Sequence, residues 1–233
     1  MTARVRIKIC GITHPDDLAD AIAAGADAVG LNFHAPSPRY VSPEQAATLL
    51  ARLPPFVEPV GVFVRHTLAV AQRHLESLAR IRVVQVHGGP AEVVVASPHI
   101  YVPAFQVRGS SDLDAILAYL RECHRADAMP GAILVDGYAP GMVGGTGRAA
   151  PWDLLAGFAP GVPLILAGGL TPDNVAEAVR IVRPFAVDVA GGVESSPGRK
   201  DRGKVRAFVQ AARGSEKGDG VFLPLASDAL GLL

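Results

Sequence analysis

The stretch Leu164-Ile165-Leu166-Ala167-Gly168-Gly169-Leu170-Thr171-Pro172 holds a strand, a turn and the start of a helix. Four apolar residues without alternation read as a strand buried on both faces. Two glycines then permit a tight turn, and Pro172 stands at the start of a helix that runs to Val182. The same grammar repeats on either side. Working outward, short apolar strands are expected at Val5–Ile9, Ala28–Phe33, Val60–Val64, Val83–Val86, Ile100–Phe105, Ile133–Val135 and Ala186–Val189. Helical patterns alternate with them. Thr13 is read as the cap of a helix to Ala24, and Pro43–Ala51 is the next. Thr67 caps a helix to about Ala79, and a short helix is expected at Ala91–Ala96. Ser111 caps one to His124, Trp152 opens a short one, and Lys204–Arg213 is the last. Eight even strand–helix units, with no linker between them, predict a closed (β/α)8 barrel, the TIM barrel, as a single domain over residues 1–213. An open doubly wound sheet is the alternative. Residues 214–233 read as a polar spacer followed by an apolar tail, which packs on the barrel, joins a partner subunit or stays disordered.

Composition narrows the function. Nearly half of the 233 residues are apolar (49%) and 19% are charged, which excludes extensive disorder. Lys+Arg and Asp+Glu are both 22, so no basic excess points to nucleic acid or an acidic membrane surface. Two cysteines, Cys10 and Cys123, are too few for a disulfide scaffold and predict a reducing, cytoplasmic setting. The uncharged stretch Leu154 to Pro172 is long enough for a membrane span, but Gly157, Pro160, Gly161 and Pro163 break it, so no membrane is expected. The seven histidines are scattered without zinc-ligand spacing, and neither GxxxxGK[ST] nor a strand-linked GxGxxG occurs.

In a barrel the chemistry gathers where the strands end and the βα loops open. Those ends carry Lys8 and Cys10, Arg39, Gln85 and His87, Asp136, Gly168-Gly169, and Asp188 with Gly191-Gly192. Cys10 reads either as a base or nucleophile or as an inert core cysteine. Lys8, two residues earlier on the same side of its strand, would favour the thiolate. Asp136 ends an apolar strand, as a general acid or as an acceptor for backbone N–H groups. His87 and Gln85 are candidates for hydrogen bonding within the site or for anchoring a loop. The glycine turns after strands seven and eight suit a phosphate held by backbone N–H groups. Gly145-Thr146-Gly147 is a weak addition in a long loop. Arg39, after Ser37-Pro38, has the fork geometry to clamp a carboxylate, or is simply an exposed arginine.

Written out in order, the blocks Lys8-Ile9-Cys10-Gly11, Gly30-Leu31-Asn32-Phe33, Ser37-Pro38-Arg39, Gln85-Val86-His87-Gly88, Val135-Asp136, Gly144-Gly145-Thr146-Gly147, Leu166-Ala167-Gly168-Gly169, Val187-Asp188-Val189, Gly192-Val193-Glu194 and Pro197-Gly198-Arg199-Lys200-Asp201 resemble the phosphoribosylanthranilate isomerase family of tryptophan biosynthesis. The resemblance implies a (β/α)8 barrel and the Amadori rearrangement of N-(5-phosphoribosyl)anthranilate to 1-(2-carboxyphenylamino)-1-deoxyribulose 5-phosphate. It carries the general base onto Cys10, the general acid onto Asp136 and the substrate carboxylate onto Arg39. Phosphate binding falls to Gly145, Gly147, Gly168, Gly169, Gly191 and Gly192, with Lys8, Gln85, His87 and Asp188 in support. The substrate supplies its own nitrogen electron sink, so no cofactor and no metal are expected. The expected partner is a small phosphorylated substrate, with the chain a monomer or homodimer. A sister barrel of the histidine pathway is a rival, against which Cys10 argues because those enzymes resemble an arrangement with aspartate there. A non-catalytic phosphate-binding barrel is another. The chain departs from the family pattern at Gly191, where serine is usual, at Arg148–Pro151, where phenylalanine is common, and in its longer tail.

Overall fold

The computed structural model describes residues 4–88, 91–137 and 152–214. Eight parallel strands close into a barrel in chain order. They are β1 (Arg6–Cys10), β2 (Ala28–Asn32), β3 (Glu58–Val64), β4 (Val83–His87), β5 (Ile100–Val107), β6 (Ile133–Gly137), β7 (Leu164–Ala167) and β8 (Ala186–Val189). The helices outside are α1 (Pro15–Ala24), α2 (Pro43–Leu50), α3 (Leu68–Leu75), α4 (Ser110–Arg125), α5 (Trp152–Leu155), α6 (Val175–Val182) and α7 (Arg202–Gly214). The barrel, rather than the open sheet, is what the even spacing predicts: β1 pairs with β8 as well as with β2.

Alternation along each strand divides the core in two. Ile7, Ile9, Val29, Leu31, Phe63, Val84, Val86, Val135 and Val187 belong to a large outer cluster shared with the helices. Val102, Ala132, Leu134 and Ala167 form a much smaller inner one on the β5–β7 side. The β1, β4 and β8 side of the interior is instead polar, with Lys8, Gln85 and Asp188 all buried.

Two helices are shorter than expected, α6 beginning at Val175 rather than Pro172 and α3 ending at Leu75 rather than near Ala79. Three further expectations fail, each for a physical reason. No helix forms over 91–96. Val93, Val94 and Val95 are β-branched and stiff, and Pro98 follows. The segment is instead tethered by Glu92, whose side chain accepts from Leu68 N–H (3.1 Å) and whose carbonyl accepts from Tyr119 Oη–H (3.0 Å). Thr13 does not cap α1. His14 does, through Nδ1 accepting from Asp16 N–H, while the Thr13 hydroxyl donates to Gly198 O at 2.6 Å. Helix α4 starts two residues early, capped at Gly109 rather than Ser111, because Asp112 reaches back to the N–H groups of Arg108 and Gly109.

After β8 comes a feature absent from the sequence reading. A 3₁₀ turn, Gly191–Val193, leads into an antiparallel hairpin of β9 (Glu194–Ser196) and β10 (Arg199–Lys200). Buried Asp17 on α1 accepts from Lys200 N–H (2.9 Å) and from Arg199 Nε–H and Nη2–H (both 3.3 Å). The hairpin is thus sewn to the first helix. Among the described residues no helix is long and apolar enough to cross a membrane. The tail from 215 onward lies outside the described residues.

Candidate active site

The strand ends place most of the expected residues on one rim. Lys8 pairs in register with Asp188 across β1 and β8, and its Nζ donates to both carboxylate oxygens at 2.9 Å. Both side chains are buried. Cys10 follows on β1, level with Gly30 of β2. A Cβ at residue 30 would lie 2.7 Å from Cys10 Sγ and 3.2 Å from Lys8 Nζ, so glycine there makes room for thiol and ammonium together. Cys10 keeps partial exposure at the mouth.

Lys8 does favour the Cys10 thiolate, as its place on the strand suggests, but the net shift of the thiol is upward. Burial pushes the thiol above its ordinary value, and Asp188 adds to that push. Lys8 and Lys200 oppose it without prevailing. Lys8, though paired with Asp188, still pulls the thiol down by its charge and a hydrogen bond, and burial outweighs it. The pKa of Lys8 itself is lowered by burial, but Asp188 and Cys10 outweigh that and hold it above the ordinary value. The ammonium is permanent.

Asp136 stands on β6, three places from β1 round the ring by way of β8 and β7. Burial, with the negative charge of Asp188 second, raises its carboxyl to about 6. Glycine is required beside it: Gly168 has φ +92°, and a Cβ there would strike Asp136 Oδ1 and the Gly137 backbone. Asp188 therefore acts on both Cys10 and Asp136 at once. Gln85 Nε2 lies 2.6 Å from His87 Nε2. With the amide donating, the ring proton sits on His87 Nδ1. Burial, then the nearby Lys8 charge, lowers His87 to about 4, so the imidazole is neutral at physiological pH.

Arg39 arrives on the loop after β2. Asn32 Oδ1 accepts from His34 N–H, and Ser37 Oγ accepts from both Asn32 Nδ2–H and Arg39 N–H. The arginine stem crosses Gly11, where a Cβ would lie 2.5 Å from Arg39 Cδ. Its guanidinium is not free: Nε donates to Glu194 Oε1 at 2.7 Å and Nη2 to Oε2 at 2.6 Å. Lys200 Nζ donates to the same carboxylate at 2.9 Å. Glu194 and Lys200 stand within the family-like blocks, but the resemblance gives them no role. Pro197-Gly198 between two short polar runs is the hairpin signal that brings them here.

The glycine turns also meet. Gly168 and Gly169 both have positive φ, and Asn174 fixes the loop by donating to Gly169 O and accepting from Thr171 N–H. Gly192 packs so closely on Leu170 O that a Cβ would collide with it. Gly145, Gly147 and the segment Arg148–Pro151 lie outside the described residues.

The comparisons agree with this arrangement. The profile of the N-(5'phosphoribosyl)anthranilate (PRA) isomerase family matches residues 7–211. The N-(5'-phosphoribosyl)anthranilate isomerase of Geobacter sulfurreducens is 48% identical over 211 residues, 90% of this chain and 99% of that protein. The crystal structure of phosphoribosyl anthranilate isomerase from Thermotoga maritima superposes with a TM-score of 0.79 at 38% identity, covering 90% of this chain and 99% of its own. A further structure of such an isomerase, in complex with reduced 1-(o-carboxyphenylamino)-1-deoxyribulose 5-phosphate, gives a TM-score of 0.75 at 36% identity, with 90% and 99% covered. With barrel, rim and sequence in accord over nine-tenths of its length, this chain belongs to the N-(5'-phosphoribosyl)anthranilate isomerase family.

Proposed function

We propose that Cys10 and Asp136 carry out the family's reaction here as general base and general acid. The reaction is the Amadori rearrangement of N-(5-phosphoribosyl)anthranilate to 1-(2-carboxyphenylamino)-1-deoxyribulose 5-phosphate in tryptophan synthesis. The observation that carries the assignment is geometric: Gly30 makes room for the Cys10 thiol beside Lys8, and Gly168 does so for the Asp136 carboxyl on the same rim, where burial and Asp188 hold that carboxyl at about 6. A carboxyl in that range keeps a usable protonated fraction near neutrality.

The steps balance without an outside reactant. Asp136 gives its proton to the ribose ring oxygen as the C1′–O bond breaks, and the anilino nitrogen lone pair forms the C1′=N iminium. Cys10 as thiolate removes the C2′ proton, and those electrons form the C1′=C2′ bond of an enol-amine. Loss of the C2′ hydroxyl proton and protonation of C1′ give the ketone. The resting site holds the opposite arrangement, thiol and carboxylate, so the reactive form differs by moving one proton from Cys10 to Asp136. Both forms have the same net charge, so their ratio is independent of pH between the two titrations. Asp188, paired with Lys8, sets the field common to both groups, and neutral His87 with Gln85 adds a hydrogen-bonding wall. Arg39 receives the anthranilate carboxylate. The turns at Gly168-Gly169 and Gly191-Gly192, with the loop bearing Gly145 and Gly147, receive the phosphate. We place the reaction in the barrel of residues 1–213, in the cytoplasm, in a monomer or homodimer.

The test is decay of phosphoribosylanthranilate fluorescence, with substrate formed in place from anthranilate and phosphoribosyl pyrophosphate and with excess EDTA. Cys10→Ser and Asp136→Asn are each expected to lower kcat by roughly 10²–10⁴, the range for general acid–base groups. A folded Cys10→Ala protein with the parent rate would remove Cys10 from the role of base. Turnover of the histidine-pathway ribonucleotide instead would move the chain to the sister reaction.

A further inference from the structure

Glu194 is held from every side. Its backbone carbonyl accepts from Lys204 Nζ at 2.9 Å, and the neighbouring Val193 carbonyl accepts from Asp201 N–H at 2.9 Å. Its carboxylate is shared between Arg39 and Lys200, and Lys200 also donates to Ala190 O at 3.2 Å. Exposure falls steeply through the trio: 22% for the Arg39 side chain, 5% for Glu194 and 1% for Lys200. Two cations and one anion leave a net positive charge. Of the three, the arginine is the most open to solvent.

The geometry of the fork matters. Glu194 engages Nε and Nη2, one edge of the planar guanidinium. The edge made by Nη1 and the second Nη2 proton takes no part in that pair and has the spacing to grip a second carboxylate. A lone arginine on a loop would lose several side-chain rotations on meeting a substrate. Here the stem lies across Gly11 and the head is already clamped. Gly191 leaves the space above the head open, since a Cβ there would sit 3.4 Å from Nη2.

We propose that Glu194, backed by Lys200, is a positioning residue that fixes Arg39 as a carboxylate receptor and so sets the preference for an N-aryl group bearing a carboxylate. This rests on the isomerase reading above. Glu194 acts through Arg39 and does not touch substrate. Its removal therefore weakens recognition of the carboxylate and leaves the proton-transfer machinery in place.

The experiment compares two substrates, the glycosylamines of ribose 5-phosphate with anthranilate and with aniline, the second lacking only the carboxylate. The quantity read is the ratio of their kcat/KM values, with ketone formation followed by NMR. Glu194→Gln is expected to lower that ratio about tenfold, chiefly through a higher KM for the anthranilate compound. In an Arg39→Met background the same change is expected to lower the ratio no further. Glu194→Asp keeps the charge that Lys200 needs while withdrawing the carboxylate by one methylene. It reads the same ratio if the glutamine variant unfolds. Equal loss on both substrates, or an unchanged ratio, would overturn the proposal. A folded parent protein inert on the anthranilate compound would instead overturn the isomerase reading.

Discussion

At Asp136 and Cys10 one environment moves two acids in the same direction. Burial and Asp188 raise both, so the carboxyl becomes a better proton reservoir while the thiol becomes harder to ionise. The thiolate is correspondingly basic when it does form, which suits abstraction from carbon. His87 titrates near 4 and Lys8 stays charged, so Asp136 is the group among these that changes state around pH 6. The ¹³C shift of the Asp136 carboxyl in ligand-free protein is expected to move with a midpoint near 6. Substrate phosphate, which ionises in the same region, does not interfere in that measurement. A midpoint near the ordinary aspartate value of about 4 would contradict the role of acid. Sequence placed Cys10, Asp136 and the Lys8 neighbour on the rim, because strand ends and alternation are local properties. It gave the direction of Lys8's influence but not the net shift of the thiol, because the burial that outweighs Lys8 and the opposing Asp188, 180 residues from Lys8, come from the closed barrel.

Among the elements, strands were the most legible. β7 and β8 have the bounds their apolar runs suggest, since a strand buried on both faces needs little beyond that run. Segments governed by side-chain tethers were not legible: the 91–96 connection hangs on Glu92, and the β9–β10 hairpin on Asp17. The hairpin also hid Glu194, whose partner Arg39 is 155 residues away. A Cβ at residue 192 would collide with Leu170 O, so there the loops after β7 and β8 meet backbone on backbone. Gly192→Ala must part the loops after β7 and β8. It is expected to cost about 1–3 kcal/mol in urea unfolding and to raise KM for the phosphorylated substrate severalfold. Gly191→Ala, whose Cβ would find only ordinary contact, is expected to change stability by no more than about 0.5 kcal/mol. Similar losses at the two positions would show that the contact is not what requires glycine.

For the whole molecule, the Lys8–Asp188 pair lies where the barrel closes, between its first and last strands. Removing only the cation leaves a buried carboxylate uncompensated, so Lys8→Met is expected to cost about 3–5 kcal/mol in urea unfolding. The double change Lys8→Met with Asp188→Leu should recover most of that, though not activity. A single variant losing under about 1 kcal/mol would mean that water reaches Asp188 and screens it. Helices α1 and α7 repeat the closure, because Asp17 on α1 binds the hairpin that leads into α7. This seam has a consequence for synthesis. A chain emerging from the ribosome at roughly 5–20 residues per second shows Lys8 to solvent on the order of ten seconds or more before Asp188 is made. Throughout that interval strand β1 has an unfilled edge and nascent α1 has no hairpin to hold. The ordering of the site therefore waits for the eighth strand, and a protein truncated before that strand is left with an open edge, exposed to aggregation, instead of a weakened enzyme.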